Sequence, residues 1–524
     1  VKTVIVKKDS YFDSVFLMLM SKELKESPQV TDATVAMGTP MNRDLLAGSG
    51  FSVDDLAAAT PNDLVIALES PDAGSLALAT AAAEALLIRK AAPRTGSGKS
   101  ANPRDLAGAV SQLDGANVAV ISLPGAYAAR EARKALEKGL HVMLFSDNVS
   151  LDDEIALKTY ARSRGLLVMG PDCGTAIING HPLCFANVVR RGSVGVVAAS
   201  GTGLQEVTCL LDRLGAGVSQ GIGTGGRDLK NERVGGLTML TAIEALAADP
   251  DTKVIVVVSK PPARSVADKV VAALEATGKP AVVHFIGLKP ETWAHPKKRV
   301  EWASHLEEAA RMAAALVLDE PYVPSTCYGD EEELEALAVR ETAKMAKSQK
   351  YLRGYFTGGT LADEAWLLVH GLTGTAWSNN QTDPAFVPPD PMKSVAHTVV
   401  DLGDDVFTVG RPHPMIDPST RTDRIDAERS DPEIAVMLVD VVLGYGSHAD
   451  PAGALVPSLT TAKAAAVSRG GYLAVVASIT GTEGDYQGWA GQKAKLEAAG
   501  VVVMPSNYQA CTLAVRLLEK VVAK

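Results

Sequence analysis

Two stretches of this chain, VVAASGTGLQEVTCLL at 196–211 and GYFTGGTLADEAWLLV at 354–369, align with each other without a gap. Each is an apolar run that stops at Ser200-Gly201-Thr202 or Gly358-Gly359-Thr360 and continues with helical apolar spacing. Glu206 and Glu364 fall at the same offset. A strand that turns directly into a helix is half of a βαβ unit, and a chain built from such units is held to an α/β fold. Ligands in that fold gather at the carboxyl ends of the strands. An anion suits these turns, because a helix start offers unpaired N–H groups and the positive end of its dipole. The other reading is a tight turn with a helix cap, which α/β proteins often have. As a pair, Ser200, Gly201, Thr202 and Gly203 with Gly358, Gly359 and Thr360 are expected to hold one anion between two facing helix ends.

The rest of the chain extends this pattern. Residues 1–90 read as a small α+β unit, with strands at KTVIVKK, TDATVAMGT and NDLVIALES between helices, as in a ferredoxin-like layer. Residues 91–103 read as a flexible linker. Its RTGSGKS ends like a phosphate-binding P-loop, but the glycine needed five residues before Gly98 is Pro93, which has no N–H. From 104 to 190 the strands ANVAVISLPG, HVMLFSD and LLVMGPDCG alternate with helices, which predicts a Rossmann-like domain. A second α/β unit runs over 191–318. The charged stretch within 319–350 reads as a solvated connecting helix. A third unit spans 351–524 and has strands at IAVMLVDVVLG, GYLAVVAS and GVVVMPSN. The fold class expected is α/β, with several doubly wound parallel sheets and an amino-terminal α+β domain.

Composition narrows the partners. The net charge is −10, which argues against non-specific nucleic-acid binding and anionic membrane surfaces. No apolar run approaches a membrane span, and the first residues do not look like a signal peptide. Five widely spaced cysteines without a CxxC pair suggest a reduced, cytoplasmic protein. No metal-ligand spacing appears.

Other loops carry candidate residues. VGRPHPMIDPSTR packs Arg411, His413, Asp417 and Arg421 into a proline-rich loop. Arg411 could clamp a carboxylate or phosphate, and His413 could move a proton near neutral pH. The alternative is a rigid turn with surface charges. GIGTGGRDL offers backbone donors around Gly225 together with Arg227, as an anion nest or a flexible crossover. Pro124, Ser146, Pro171, Asp172 and Cys173 stand at strand ends of the 104–190 domain, where a ligand would sit. Cys173 has no histidine partner in the sequence. Asn507, at the last strand end, is a ligand candidate or a helix cap.

VAVISLPGAYAAREARKALEKGLHVMLFSD, LLVMGPDCGTAI and VGVVAASGTGLQEV resemble, in order, the CoA-binding domain, its following loop and the power helix of the succinyl-CoA synthetase α subunit, which implies a CoA-binding-like domain over 104–190 with CoA near Pro124, Ser146 and Pro171. The region from 351 onward resembles the ligase half of the β subunit, fused in one chain. MGTPMN, MGPDCGTAI, SGTGLQE, GIGTGGRDL, FTGGTLADE and DLGDDVFTVGRPHPMIDP, which together span nearly the whole chain, resemble the FdrA family. The resemblance implies acyl and phosphoryl group transfer, and CoA is the one cofactor it suggests. Succinyl-CoA synthetases pass phosphate through a histidine in a glycine-rich loop. The corresponding region here is KKRVEWASHLEEAARMA, where His305 has no flanking glycine. Where an acidic residue would orient the phosphohistidine, the chain has Ser259-Lys260. The family is also linked to oxamate carbamoyltransferase, in which an FdrA-like chain works with two smaller partner proteins. That reaction joins carbamoyl phosphate and oxamate into oxalurate and phosphate, and runs in reverse in allantoin breakdown. The expectation is thus a multi-subunit carbamoyltransferase. The alternatives are an acid–CoA ligase and a non-catalytic, anion-sensing scaffold.

Overall fold

The computed structural model describes residues 1–10, 12, 14–91, 103–288, 299–324, 331–408 and 411–522. They form two compact units, residues 1–109 with 408–412 and residues 110–407 with 413–524. The P-loop-like stretch 94–100, nearly all of the expected linker, and Cys327 lie outside the described residues.

The amino-terminal unit is α+β. Strands β1 (Lys2–Lys7), β2 (Asp32–Met37) and β3 (Leu64–Glu69) form an antiparallel sheet in the order β1-β3-β2. The central strand β3 reads LVIALE and is buried along nearly its whole length, as a strand covered on both faces must be. Helices Ser14–Lys25 and Ala73–Ala91 bring Leu17, Met20, Leu24, Ala79 and Ala83 to one face. Leu46, Phe51 and Leu56 cover the other.

The large unit opens with a parallel sheet of β4 (Val118–Ile121), β5 (His141–Leu144) and β6 (Val168–Met169). Next comes a hairpin of β7 (Thr175–Ile178) and β8 (His181–Cys184), turned at Asn179-Gly180. This hairpin leaves the 104–190 sheet and joins the edge of the next one. That next sheet contains β9 (Arg191–Ala199), β10 (Val218–Gly223), β11 (Val254–Ser259), β12 (Ala281–Phe285) and β13 (Val300–Trp302), in the order β13-β12-β11-β9-β10-β7-β8. The last sheet, β15-β14-β16-β17-β18, is parallel throughout: β14 (Tyr351–Phe356), β15 (Thr398–Asp401), β16 (Ile434–Val442), β17 (Ala474–Thr480) and β18 (Val502–Met504).

Numbered within its own unit, each five-strand parallel set has the order 2-1-3-4-5. The order reverses beside the first strand, where ligands bind in doubly wound sheets. β9 and β14 are those first strands, so the repeated Gly-Thr loops leave the sheets at the two switch points. One apolar core runs through both sets and includes Val196, Val256, Leu361, Val436 and Leu513. The 331–342 helix, expected to be solvated, is only half so. Leu334, Leu337 and Ala338 are buried in the same core and Glu341 is buried too, while Glu331, Glu332 and Glu333 face water.

Candidate functional site

The two helix starts meet. Ser200 caps helix Gly201–Arg213 by accepting a hydrogen bond from Gly203 N–H at 3.0 Å. Its hydroxyl also bonds Thr360 Oγ1, in the first turn of helix Gly359–Thr373. The approach needs small residues. A β-carbon on Gly203 would lie 2.7 Å from Ser200 Oγ and 3.1 Å from Thr360 Cγ2, and one on Gly358 would lie 2.8 Å from Thr202 Cγ2. Gly201 has more room, with Thr175 Oγ1 at 3.3 Å as its nearest neighbour.

The second loop has already spent part of its donor set. Asp440, buried in β16, accepts from Thr357 N–H, Thr357 Oγ1 and Gly358 N–H, and pairs with buried Arg421 at 2.9 Å. Gly358 therefore offers no N–H to a ligand. Arg421, which the sequence places in a surface loop, is a core residue that neutralises Asp440.

Three charged groups cover the start of helix Gly359–Thr373. Lys260, just past β11, pairs with Asp363 at 2.8 Å. Burial opposes its charge, but Asp363 and Asp401 outweigh that and raise its pKa. Asp401, the last residue of β15, is buried; burial pushes its carboxyl up to about 6, while Lys260 and Gly403 N–H pull the other way. Asn380 bonds Asp363 and the Gly359 carbonyl.

His413 lies against Gly403. A β-carbon on that glycine would sit 2.6 Å from His413 Nε2 and 2.9 Å from the Thr357 carbonyl. His413 Nδ1 accepts from Met415 N–H, so Nε2 carries the proton of the neutral ring. Burial pushes its pKa down to about 4. The ring is thus a neutral donor at pH 7, not the near-neutral acid–base expected from the sequence. Arg411 is exposed and is grouped with the amino-terminal unit.

The remaining candidates divide. Ser146 is a strap between strand ends, accepting from Leu123 N–H and donating to the Ile121 carbonyl. Pro124 is the cap position of helix Gly125–Glu137, and the peptide before Pro171 is cis. Gly225 takes φ +82 and packs on the Pro171 carbonyl, 2.4 Å from where its β-carbon would be. Arg227 is committed to Glu154, at 2.8 Å, and to the Val149 carbonyl. GIGTGGRDL is therefore a tight joint and not an open anion nest. Cys173 is buried, and burial pushes its thiol up to about 12, which leaves it inert. Asp172 does face a loop end. The residue is exposed overall, but desolvation of its carboxyl, then Asp147 and Asp405, raise it to about 6.

Asn507 is neither an open ligand nor a simple cap. It belongs to a reciprocal joint between the ligase-like units. Glu206 accepts from Asn507 N–H, at the start of the last helix, and Glu364 accepts from Leu306 N–H, at the start of helix Leu306–Leu318, each at 3.0 Å. Each unit's first helix thus caps the other unit's last helix. The His305 ring caps its own helix and stacks on Tyr508 at 3.4 Å, so it is a joint residue. Burial pushes Glu364 up to about 7 and raises Glu206 as well. Sequence reasoning missed Lys260, Asp401, Asp363 and Asp440 as parts of the site. The signals were an aspartate inside the apolar run LVDVV and another opening DLGDD.

A family model described as CoA-ligase matches residues 355–517, one described as CoA binding domain matches 189–287, and one described as AllF, heavy metal-associated domain, matches 1–104. The CoA-binding match falls on the first Gly-Thr unit, carboxyl-terminal to the 104–190 domain. Residues 1–104 contain no cysteine or histidine, so this unit lacks the thiolate and imidazole donors that soft metals select. Among the described residues no group of three or more His, Cys, Asp and Glu side chains is arranged to hold a metal. No helix among them is long and apolar enough to cross a membrane. The chain is 44% identical to YahF of Escherichia coli K12 over 96% of each chain. It is 29% identical to the succinate–CoA ligase [ADP-forming] subunit alpha 2 of Archaeoglobus fulgidus, over 38% of this chain and 67% of that one. A dinucleotide-forming acetyl-coenzyme A synthetase 1 of Ca. Korarchaeum cryptofilum (apo form) aligns over 78% of this chain and 83% of its own, at 16% identity and a TM-score of 0.32. By its full-length relative and its ligase and AllF-type matches, the chain belongs to the FdrA family of the succinyl-CoA synthetase superfamily.

Proposed function

We propose that this chain is the large subunit of a carbamoyltransferase that interconverts carbamoyl phosphate plus oxamate and oxalurate plus phosphate, working with smaller partner proteins. The observation that carries the reading is the meeting of two helix starts beside Lys260 and Asp401. Backbone N–H groups and an ammonium suit a small phosphate. Carboxyl groups beside them suit the amide N–H donors of a carbamoyl group and of oxamate. The two histidines around β13 support the same reading: His305, after it, is used in packing, and His295, before it and outside the described residues, stands between Ala294 and Pro296 without the glycines of a phosphohistidine loop. The chain assembled with its partners and given oxalurate and phosphate should form carbamoyl phosphate, followed by phosphorus NMR. No product from a correctly assembled complex overturns the proposal.

A CoA-thioester enzyme is the second reading, favoured by the CoA-ligase and CoA-binding matches. The loop ends of the 104–190 domain fit CoA poorly. Asp147 and Asp405 place further negative charge beside Asp172 there, and the Ser146 hydroxyl is already engaged. Calorimetry with millimolar CoA separates the two readings, and binding that Asp172→Asn strengthens would favour the second.

A further inference from the structure

Around Gly359 the structure gathers ionisable groups from both ligase-like units. Lys260 arrives from the end of β11 and Asp401 from the end of β15, two strands of different sheets. A β-carbon on Gly359 would lie 2.4 Å from Asp401 Oδ2 and 3.2 Å from Lys260 Nζ, so both groups press on the first residue of the helix. Asp401 Oδ1 is fixed by Gly403 N–H at 2.9 Å, and the Asp401 backbone is held on both sides by Asn379. Lys260 is held in turn by Asp363. A buried carboxylate fixed on one oxygen, with the other laid across a helix start, is oriented for a reacting group placed there.

We infer that Asp401 is the proton-accepting group of this site and that Lys260, fixed by Asp363, is the positioning residue that sets its ionisation. The inference rests on the carbamoyl-transfer reading above. The amide nitrogen of an oxamate-class acceptor bonds to the carbamoyl carbon. The bond from that carbon to the phosphate oxygen breaks, and its electron pair leaves with phosphate. The amide proton passes to Asp401 and then to the departing phosphate, so charge and protons balance. At neutral pH the carboxyl is ionised and close enough to its transition to return the proton. Asp363, Asp404 and Asn380 also act on this pair, while His413 stays neutral nearby.

The assembled complex is compared with Asp401→Asn, Asp401→Glu and Lys260→Met. Asp401→Asn is expected to lower kcat by about 100-fold or more, with the KM for phosphate nearly unchanged, and Asp401→Glu to recover part of the loss. Lys260→Met is expected to move the acidic limb of kcat/KM upward by about one pH unit, because a lost cation raises a neighbouring carboxyl. Asp401→Asn within threefold of wild type, or a limb that Lys260→Met does not move, overturns the inference. Carbon-13 NMR of the aspartate carboxyls gives a readout without turnover. Two aspartate carboxyls, Asp172 and Asp401, should titrate near pH 6, and only the Asp401 one should vanish in Asp401→Asn and shift upward when inorganic phosphate is added. If the wild-type complex transfers no carbamoyl group, the functional reading falls, and this titration still decides the role of Asp401. A carboxyl indifferent to phosphate and to Lys260→Met overturns it.

Discussion

The two Gly-Thr loops have the same chain geometry and different chemistry. Behind the first loop, β9 pairs Ala198 with Val258 of β11. At the matching step behind the second, one residue past the Tyr355–Val439 pair, stands Asp440. The first loop has an apolar floor and relies on the Ser200 hydroxyl to cap its helix. The second has no side-chain cap at Gly358. It uses a buried carboxylate to hold the loop backbone and a buried arginine to neutralise that carboxylate. The duplicated fold has thus kept the shape of the turn on both sides and moved the charge to one side. The first loop supplies a hydroxyl and backbone, and the second collects Lys260, Asp363 and Asp401.

The largest test of this asymmetry is Arg421→Met. It strands the Asp440 carboxylate in the core and should cost about 3–5 kcal/mol in urea unfolding, with the transition of the large unit lowered. A first-loop lesion of that size has no counterpart, because Val258 carries no charge.

Glycine substitutions sharpen the contrast. Gly358→Val forces a side chain into Thr202 and should cost about 1–3 kcal/mol. Gly201→Ala meets only the Thr175 hydroxyl and gains helix propensity, so its midpoint should stay within about 1 kcal/mol of wild type.

The reciprocal caps are tested by pH. Glu364 holds its proton more tightly folded than unfolded, with its pKa raised from 4.5 to about 7 by burial. The stability it contributes is fully present below pH 4.5 and is lost as pH rises toward 7. Unfolding free energies measured across that window should fall with pH in wild type and fall less steeply in Glu364→Gln. Glu206, shifted in the same direction, should leave a residual slope.

The smallest expected effect is Ser200→Ala, a lost cap of about 1 kcal/mol. The Gly201–Arg213 helix should then fray at its start, seen as faster amide exchange.

The strands were legible because their buried runs are nearly pure Val, Ile, Leu and Ala, and the gapless repeat placed both turns at strand ends. The β7–β8 hairpin was missed although Asn179-Gly180 is a strong hairpin signal, because the run before it reads as the end of a parallel strand. The site was legible only in its local half. Ser200, Gly203 and Thr360 follow from helix-start physics. Lys260 and Asp401 stand 99 and 42 residues from Gly359 in the numbering, and only the stacking of two sheets brings them to it. His413 misleads in the opposite way, since its polar loop suggested a titration near neutral pH and burial pushes its pKa down to about 4.

The exchanged glutamates also bear on how the chain is made. Leu306 and Glu364 are 58 residues apart, so at about 5–20 residues per second the earlier helix waits roughly 3–12 s for its cap. Glu206 is 301 residues ahead of Asn507 and waits about 15–60 s with a carboxylate destined for the interior. For most of its synthesis, the first ligase-like half is a nascent domain with an unfinished face. The ribosome must deliver the last helix before that face can close.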